Sequence, residues 1–104
     1  MAIEGAFAAL AEPRRREMLL LVRNAPRSVN EIAAHFDITQ QAVSQHLHVL
    51  KDAGLVVVQP DGPRRLYQAR PEGLAEVEAF LARFWPERLG RLKSAVERRT
   101  SRGH

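Results

Sequence analysis

The sequence predicts one mainly α-helical domain that carries a two-stranded β-hairpin. Three observations predict it. Apolar residues recur at helical spacing in five segments, several opened by a capping residue or a proline. A single β-branched run, Leu55-Val-Val-Val-Gln59, is followed by Pro-Asp-Gly-Pro and a second short alternating run. The stretch from Ile38 to Leu50 has a helical pattern yet contains no Asp, Glu, Lys or Arg. A length of 104 residues suits one compact domain and not two.

The elements follow in order. Ile3, Phe7 and Leu10 have helical spacing and mark a first helix over 3–11. Pro13 suits the first position of a second helix, which continues through Met18-Leu-Leu-Leu-Val22 until Asn24-Ala-Pro-Arg27 breaks it. Ser28-Val-Asn-Glu31 fits a capping box, in which a hydroxyl and a carboxylate satisfy each other's free backbone amides. The helix it opens is expected to bury Val29, Ile32, Ala33 and Phe36. Asp37-Ile38 turns the chain into a fourth helix, capped by Thr39, with Val43, Leu47 and Leu50 as its apolar stripe. Gly54 ends that helix, where a left-handed residue is usual.

The hairpin comes next, with Asp61-Gly62 expected as the core of its turn and Arg64 to Ala69 as the returning strand. From Pro71 the helical period resumes. Leu74, Val77, Phe80, Leu81, Phe84, Trp85, Leu89, Leu92 and Val96 form a long apolar stripe over about 71–99. Pro86 interrupts it, so a kink or a new helix start is expected there.

Helix, helix, helix-turn-helix, hairpin, helix is the order of a winged helix-turn-helix, with the helix-turn-helix at about 28–54 and the wing at about 55–69. In that architecture the second helix of the pair lies in the DNA major groove. The uncharged helix then has a role. Gln40, Gln41, Ser44, Gln45 and His48, with Thr39 at its start, are neutral hydrogen-bonding residues where solvated helices carry Glu and Lys. Such side chains read base edges, and glutamine in particular can pair with adenine. Arg64 and Arg65 on the hairpin are expected to meet phosphates or a minor groove.

The charge balance agrees with this assignment. Sixteen Lys and Arg face twelve Asp and Glu, a formal net charge of +4, and fourteen of those cations are arginines. Arginine makes planar, bidentate phosphate contacts that lysine cannot. Arg14, Arg15 and Arg16 form a cluster open to two readings, phosphate contacts or a solvated helix start. Cations at a helix N-terminus oppose its dipole, which points toward an anionic partner.

Other classes find little support. There is no cysteine, no glycine-rich phosphate loop and no Ser-His-Asp set that this fold would bring together, so an enzyme is not expected. The alternative is a winged-helix module that binds a protein. An acidic or apolar face on the fourth helix would mark it, and neither is present. No apolar run approaches the ~18 residues that span a bilayer. The N-terminus lacks the pattern of a signal peptide, and the expected location is the cytoplasm.

Four blocks carry a specific resemblance: Leu10-Ala-Glu-Pro-Arg-Arg-Arg-Glu-Met-Leu19, Ser28-Val-Asn-Glu-Ile-Ala, Gln41-Ala-Val-Ser-Gln-His-Leu-His-Val-Leu-Lys-Asp-Ala-Gly-Leu-Val and Gly62-Pro-Arg-Arg-Leu-Tyr. Their residues and spacing resemble the ArsR/SmtB family of bacterial repressors over roughly 5–96. The resemblance implies a homodimer that binds a palindromic operator in double-stranded DNA and blocks transcription. It also implies a dimer interface on the first and last helices. Here that interface would take Ile3, Phe7, Phe80, Phe84, Trp85, Leu89 and Leu92, an apolar set too large for one small domain to hide. Phe80, Phe84 and Trp85 could instead line a ligand pocket, but apolar stripes at helical spacing usually pack.

Many family members sense metals, and this chain departs from their pattern. Where thiolate sensors carry cysteines, it has Ala33 and His35, and residues 74–99 contain no histidine. His46 and His48 lie two apart on a helix, about 200° around the axis, and so diverge. His46 is expected to border the core beside a hydrogen-bond partner, and His48 to face outward. No metal or cofactor is expected, and the residues specify no inducer.

Overall fold

The structure, a computed structural model, describes residues 3–84. Its elements are α1 (Ile3–Leu10), α2 (Pro13–Leu21), β1 (Arg27–Ser28), α3 (Val29–Ala33), α4 (Gln40–Asp52), β2 (Val56–Asp61), β3 (Arg64–Ala69) and α5 (Pro71–Ala82). The strands form one antiparallel sheet in the order β1-β3-β2. This is a winged helix-turn-helix, mainly helical, with a three-stranded sheet where the sequence pattern shows two strands.

The caps are formed as their residues imply. Glu12 opens α2, accepting from the Arg14 amide at 2.9 Å, with Pro13 at the first helical position. At α3 the Ser28 amide donates to Glu31 Oε1 at 2.8 Å, and the Glu31 amide donates to Ser28 Oγ at 3.2 Å. Both halves of the capping box are therefore present. Thr39 Oγ1 accepts from the Ala42 amide at 3.0 Å and starts α4. Gly54 closes α4 at φ 77°, a left-handed value that favours glycine. The amides of Gly54 and Leu55 then reach back to the Lys51 and Leu50 carbonyls, the paired bonds of a Schellman ending.

The capping box makes stability pH-dependent. The Glu31 carboxyl lies below the usual carboxylate range, chiefly because the Ser28 backbone amide donates to it, then its hydroxyl, with Arg64 and Arg27 nearby. A group lowered on folding contributes stability above its unfolded value, and the contribution fades as pH falls through the folded one. The thermal midpoint of Glu31→Gln should therefore fall short of the wild type at neutral pH and converge on it in acid. A gap that stays constant into the acid range would rule out the carboxylate as the cause.

The hairpin turn differs from expectation. Asp61 pairs with Arg64, so the turn is the two residues Gly62-Pro63 and not Asp61-Gly62. Gly62 takes φ 61°, and proline holds φ negative. A two-residue turn with positive φ only at its first position suits the twist of a hairpin. Pro60 sits in β2, an edge strand of the sheet, where a missing amide is tolerated. The third strand, β1, aligns Arg27 with Tyr67 and Ser28 with Leu66 on the other side of β3. It joins the start of the helix-turn-helix to the wing.

The core gathers around α4. Val43, Leu47 and Leu50 are fully buried against Met18 of α2, Val22 at its C-cap, Ile32 of α3 and Leu55. Of the residues expected inside α3, Ile32 is fully buried, while Val29, Ala33 and Phe36 pack half-buried around it. Phe36 lies beyond the end of α3, which closes at Ala33. The start of α5 seats closely on the end of α4. A Cβ at Gly73 would overlap the Gly54 carbonyl, so glycine is needed there. Along α1 and α5, Phe7 meets Phe80 edge-to-face at 5.3 Å, and Phe80 meets Phe84 at 5.1 Å. α5 closes at Ala82, short of Pro86; the expected kink there and the residues Trp85, Leu89 and Leu92 lie outside the described residues. No described helix is long and apolar enough to cross a membrane.

Candidate nucleic-acid interface

Burying one side of α4 leaves the other to solvent. With Val43, Leu47 and Leu50 in the core, helical geometry turns Gln41, Ser44, Gln45 and His48 outward. Beside this face runs an open groove of about 560 Å³ between α4 and the wing. Gln40, Ser44 and His48 line one wall, Arg64, Arg65 and Tyr67 the other, and residues 28–30 form its end. The groove thus brings together five of the eight expected contact residues. Thr39, Gln41 and Gln45 do not line it; they stand exposed on α4 or at its start.

Their engagements differ. The Thr39 hydroxyl is committed to the cap. Gln40 Nε2 donates to Asn30 Oδ1, tying α4 to α3. His48 Nε2 lies 3.1 Å from the Asp52 carboxylate one turn on. On the wing, Arg64 donates to Asp61 Oδ2 at 2.7 Å and has Glu31 at 3.9 Å. The hydrogen bond to Asp61 leads in raising Arg64 above its ordinary value, so the residue is firmly cationic but partly neutralised locally. Arg65, exposed next to it, is in none of the ion pairs among the described residues and is the freer cation for a phosphate.

These contacts bear on two readings. Within the Arg14–Arg16 cluster, Arg15 and Arg16 need not face an external anion. Arg15 donates to the Ala9 and Ala8 carbonyls, and Arg16 to those of Leu10 and Ala11. These carbonyls end α1, where a helix leaves its acceptors unpaired and welcomes positive charge. The dipole that Arg15 and Arg16 serve is that of α1. The expected partner of His46 is also present: Arg15 Nη1 lies 3.2 Å from His46 Nδ1. Sequence reasoning did not find Asn30 or Tyr67. Their signals were faint, since Asn30 is the interior residue of a capping box and Tyr67 one of a strand.

The histidines do not converge. His46 is half-buried against α2, and His35 and His48 are exposed. Among the described residues, no group of three or more His, Cys, Asp or Glu is placed to hold a metal ion.

Similarity to known proteins bears on this geometry. The sequence pattern of the bacterial regulatory protein arsR family matches residues 12–58, from the N-cap of α2 into β2. The chain is 44% identical over 84 residues to the HTH-type transcriptional regulator Rv2034 of Mycobacterium tuberculosis, covering 81% of this chain and 78% of that one. It is 36% identical over 50 residues to the transcriptional repressor SdpR of Bacillus subtilis, covering 48% of this chain and 56% of that relative. Among solved structures it resembles the homodimeric winged helix-turn-helix DNA-binding domain of Mb0332 from Mycobacterium bovis, a possible ArsR-family transcriptional regulator. There the TM-score is 0.66 at 29% identity, over 82% of this chain and 79% of that one.

Proposed function

Since the chain belongs to the arsR family of bacterial transcriptional regulators, we propose that it is a homodimeric cytoplasmic repressor that binds a near-palindromic operator. The observation that carries the proposal is the groove between α4 and the wing. It joins the edge of an uncharged, hydrogen-bonding helix face, at Gln40, Ser44 and His48, to the two arginines that open β3. A recognition helix reads bases from such a face while flanking cations fix its register on phosphates. Gln41, Ser44 and Gln45 are assigned to base edges, with His48 beside them. Arg65 is assigned to phosphate, and Arg64 to phosphate once its hold on Asp61 is exchanged. Thr39 and Gln40 position the start of α4 and offer it to the backbone.

Two copies present two such helices. The proposed interface is the face of α1 and α5 bearing Ile3, Phe7, Phe80 and Phe84, extended by Trp85, Leu89 and Leu92, which lie outside the described residues. A two-fold axis between protomers requires two-fold symmetry in the operator, with half-sites about one helical turn apart. Homodimeric Mb0332 and the repressor SdpR are consistent with this assembly and this direction of control.

The test is enrichment from a random duplex pool by the full chain, followed by competition at physiological salt. An inverted repeat should emerge and outcompete its scrambled version. Equal affinity for both duplexes would rule out sequence-specific repression.

A further inference from the structure

Arg15 is held by three contacts. Its Nε donates to the Ala9 carbonyl at 2.7 Å and its Nη2 to the Ala8 carbonyl at 3.1 Å, both in the last turn of α1. Its Nη1 lies 3.2 Å from His46 Nδ1 on α4. A guanidinium has only donors, so Nδ1 is the acceptor in this contact. One planar group on α2 thus joins the end of α1 to the middle of α4. His46 follows Gln45 directly and lies between Val43 and Leu50 on the edge of the buried stripe. Core packing fixes how far α4 stands from the domain. The buried stripe of Val and Leu fixes which side of α4 faces inward, but apolar contact has no direction and defines the finer rotation less sharply. A hydrogen bond from a fixed fork does have direction.

We propose that Arg15 is a positioning residue for DNA recognition: by holding His46 to the last turn of α1, it sets the rotation of α4 and so the aim of Gln41, Ser44 and Gln45. The same guanidinium links the helix proposed to meet the partner protomer with the helix proposed to read DNA. The proposal rests on the assignment of α4 as the reading helix.

The experiment uses the full chain and three quantities: affinity for the enriched duplex, affinity for its scrambled version, and thermal midpoint. Arg15→Ala should weaken the enriched duplex about tenfold, the scale of one lost charged hydrogen bond. The scrambled duplex, bound through phosphates alone, should change by no more than about twofold. His46→Phe keeps a ring but no acceptor and should reproduce the loss. Combined with Arg15→Ala it should add nothing, since the two act through one contact. His46→Asn places an oxygen where Nδ1 stood and should restore the preference. Should Arg15→Ala fail to fold, the Phe and Asn variants at position 46 carry the comparison.

A purely structural Arg15 would lower the thermal midpoint and weaken both duplexes alike, and that outcome overturns the proposal. So does an Asn variant that behaves like the Phe variant. A wild type that prefers its duplex, beside an Arg15→Ala that prefers it equally, sinks the positioning role alone. A wild type with no preference sinks the reading-helix assignment and the proposal with it.

Discussion

Phe84→Glu should convert the protein from dimer to monomer and abolish operator binding while leaving every proposed DNA contact intact. Phe84 is 59% exposed and Leu81 38% exposed on the described protomer. They continue an aromatic line in which Phe7, Phe80 and Phe84 touch edge-to-face from α1 along α5. Apolar surface of this kind, adjoining the sequence stripe that runs on through Leu89 and Leu92, marks an interaction face.

Under the proposed two-fold axis each protomer contributes the same face, so one substitution places two charges in the contact. An unpaired buried charge costs about 3–5 kcal/mol, and two of them exceed what a modest dimer interface can absorb. Phe84 is not one of the core side chains, so the helical fold should survive, as circular dichroism would show. Sedimentation should give a monomer at micromolar concentration. Binding should collapse to the weak, salt-sensitive affinity of a single half-site. A variant that still sediments as a dimer removes Phe84 from the interface. A wild type that sediments as a monomer removes the dimer itself.

How much of this was legible in the sequence depends on how local each signal is. The caps at Ser28 and Thr39 were readable because each is a bond between residues three apart. The left-handed ending at Gly54 depends on one residue type, and the α4 stripe on a periodicity. The strand β1 was not readable. Two residues, Arg27 and Ser28, carry no period, and their strand character comes from pairing with Leu66 and Tyr67 far along the chain. The hairpin turn was misplaced by one residue because Asp-Gly is a strong local signal. What decided the register was Pro63: a turn at Asp61-Gly62 would set it opposite Pro60, and neither proline has an amide to close that pair.

The arginines show the same limit from the side of the site. Arg15 and Arg16 are five to seven residues from the carbonyls they serve, across a turn whose path composition does not reveal. Arg64 was readable as a cation on the wing but not as one already shared by Asp61 and Glu31. Charge can be counted from sequence; its neutralisation is a tertiary fact. The neutral face of α4 was legible for the opposite reason. Once Val43, Leu47 and Leu50 are known to be inside, helical geometry leaves no choice about what is outside.

Gln45→Ala should remove most of the preference for the enriched duplex and leave binding to scrambled DNA nearly unchanged. Gln45 is exposed in the middle of α4, one turn from Gln41 and adjacent to Ser44 and His48, whereas Gln40 is engaged by Asn30. A glutamine amide offers one donor and one acceptor that together match the adenine edge in the major groove. Its loss costs about 1–3 kcal/mol of discrimination per contact, and the proposed dimer makes the contact twice, so about 2–6 kcal/mol is at stake.

Arg65→Ala makes the opposite prediction. Arg65 is exposed on the groove wall and carries charge but no base-specific pattern. Its removal should weaken enriched and scrambled duplexes alike and reduce the slope of log affinity against log salt by about one for each protomer. The pair separates the reading helix from the wing. Specificity should follow the exposed face of α4 and salt dependence the wing. If Gln45→Ala instead shifts the salt slope and spares specificity, the reading face lies elsewhere on α4, and Gln41 and Ser44 become the residues to replace next.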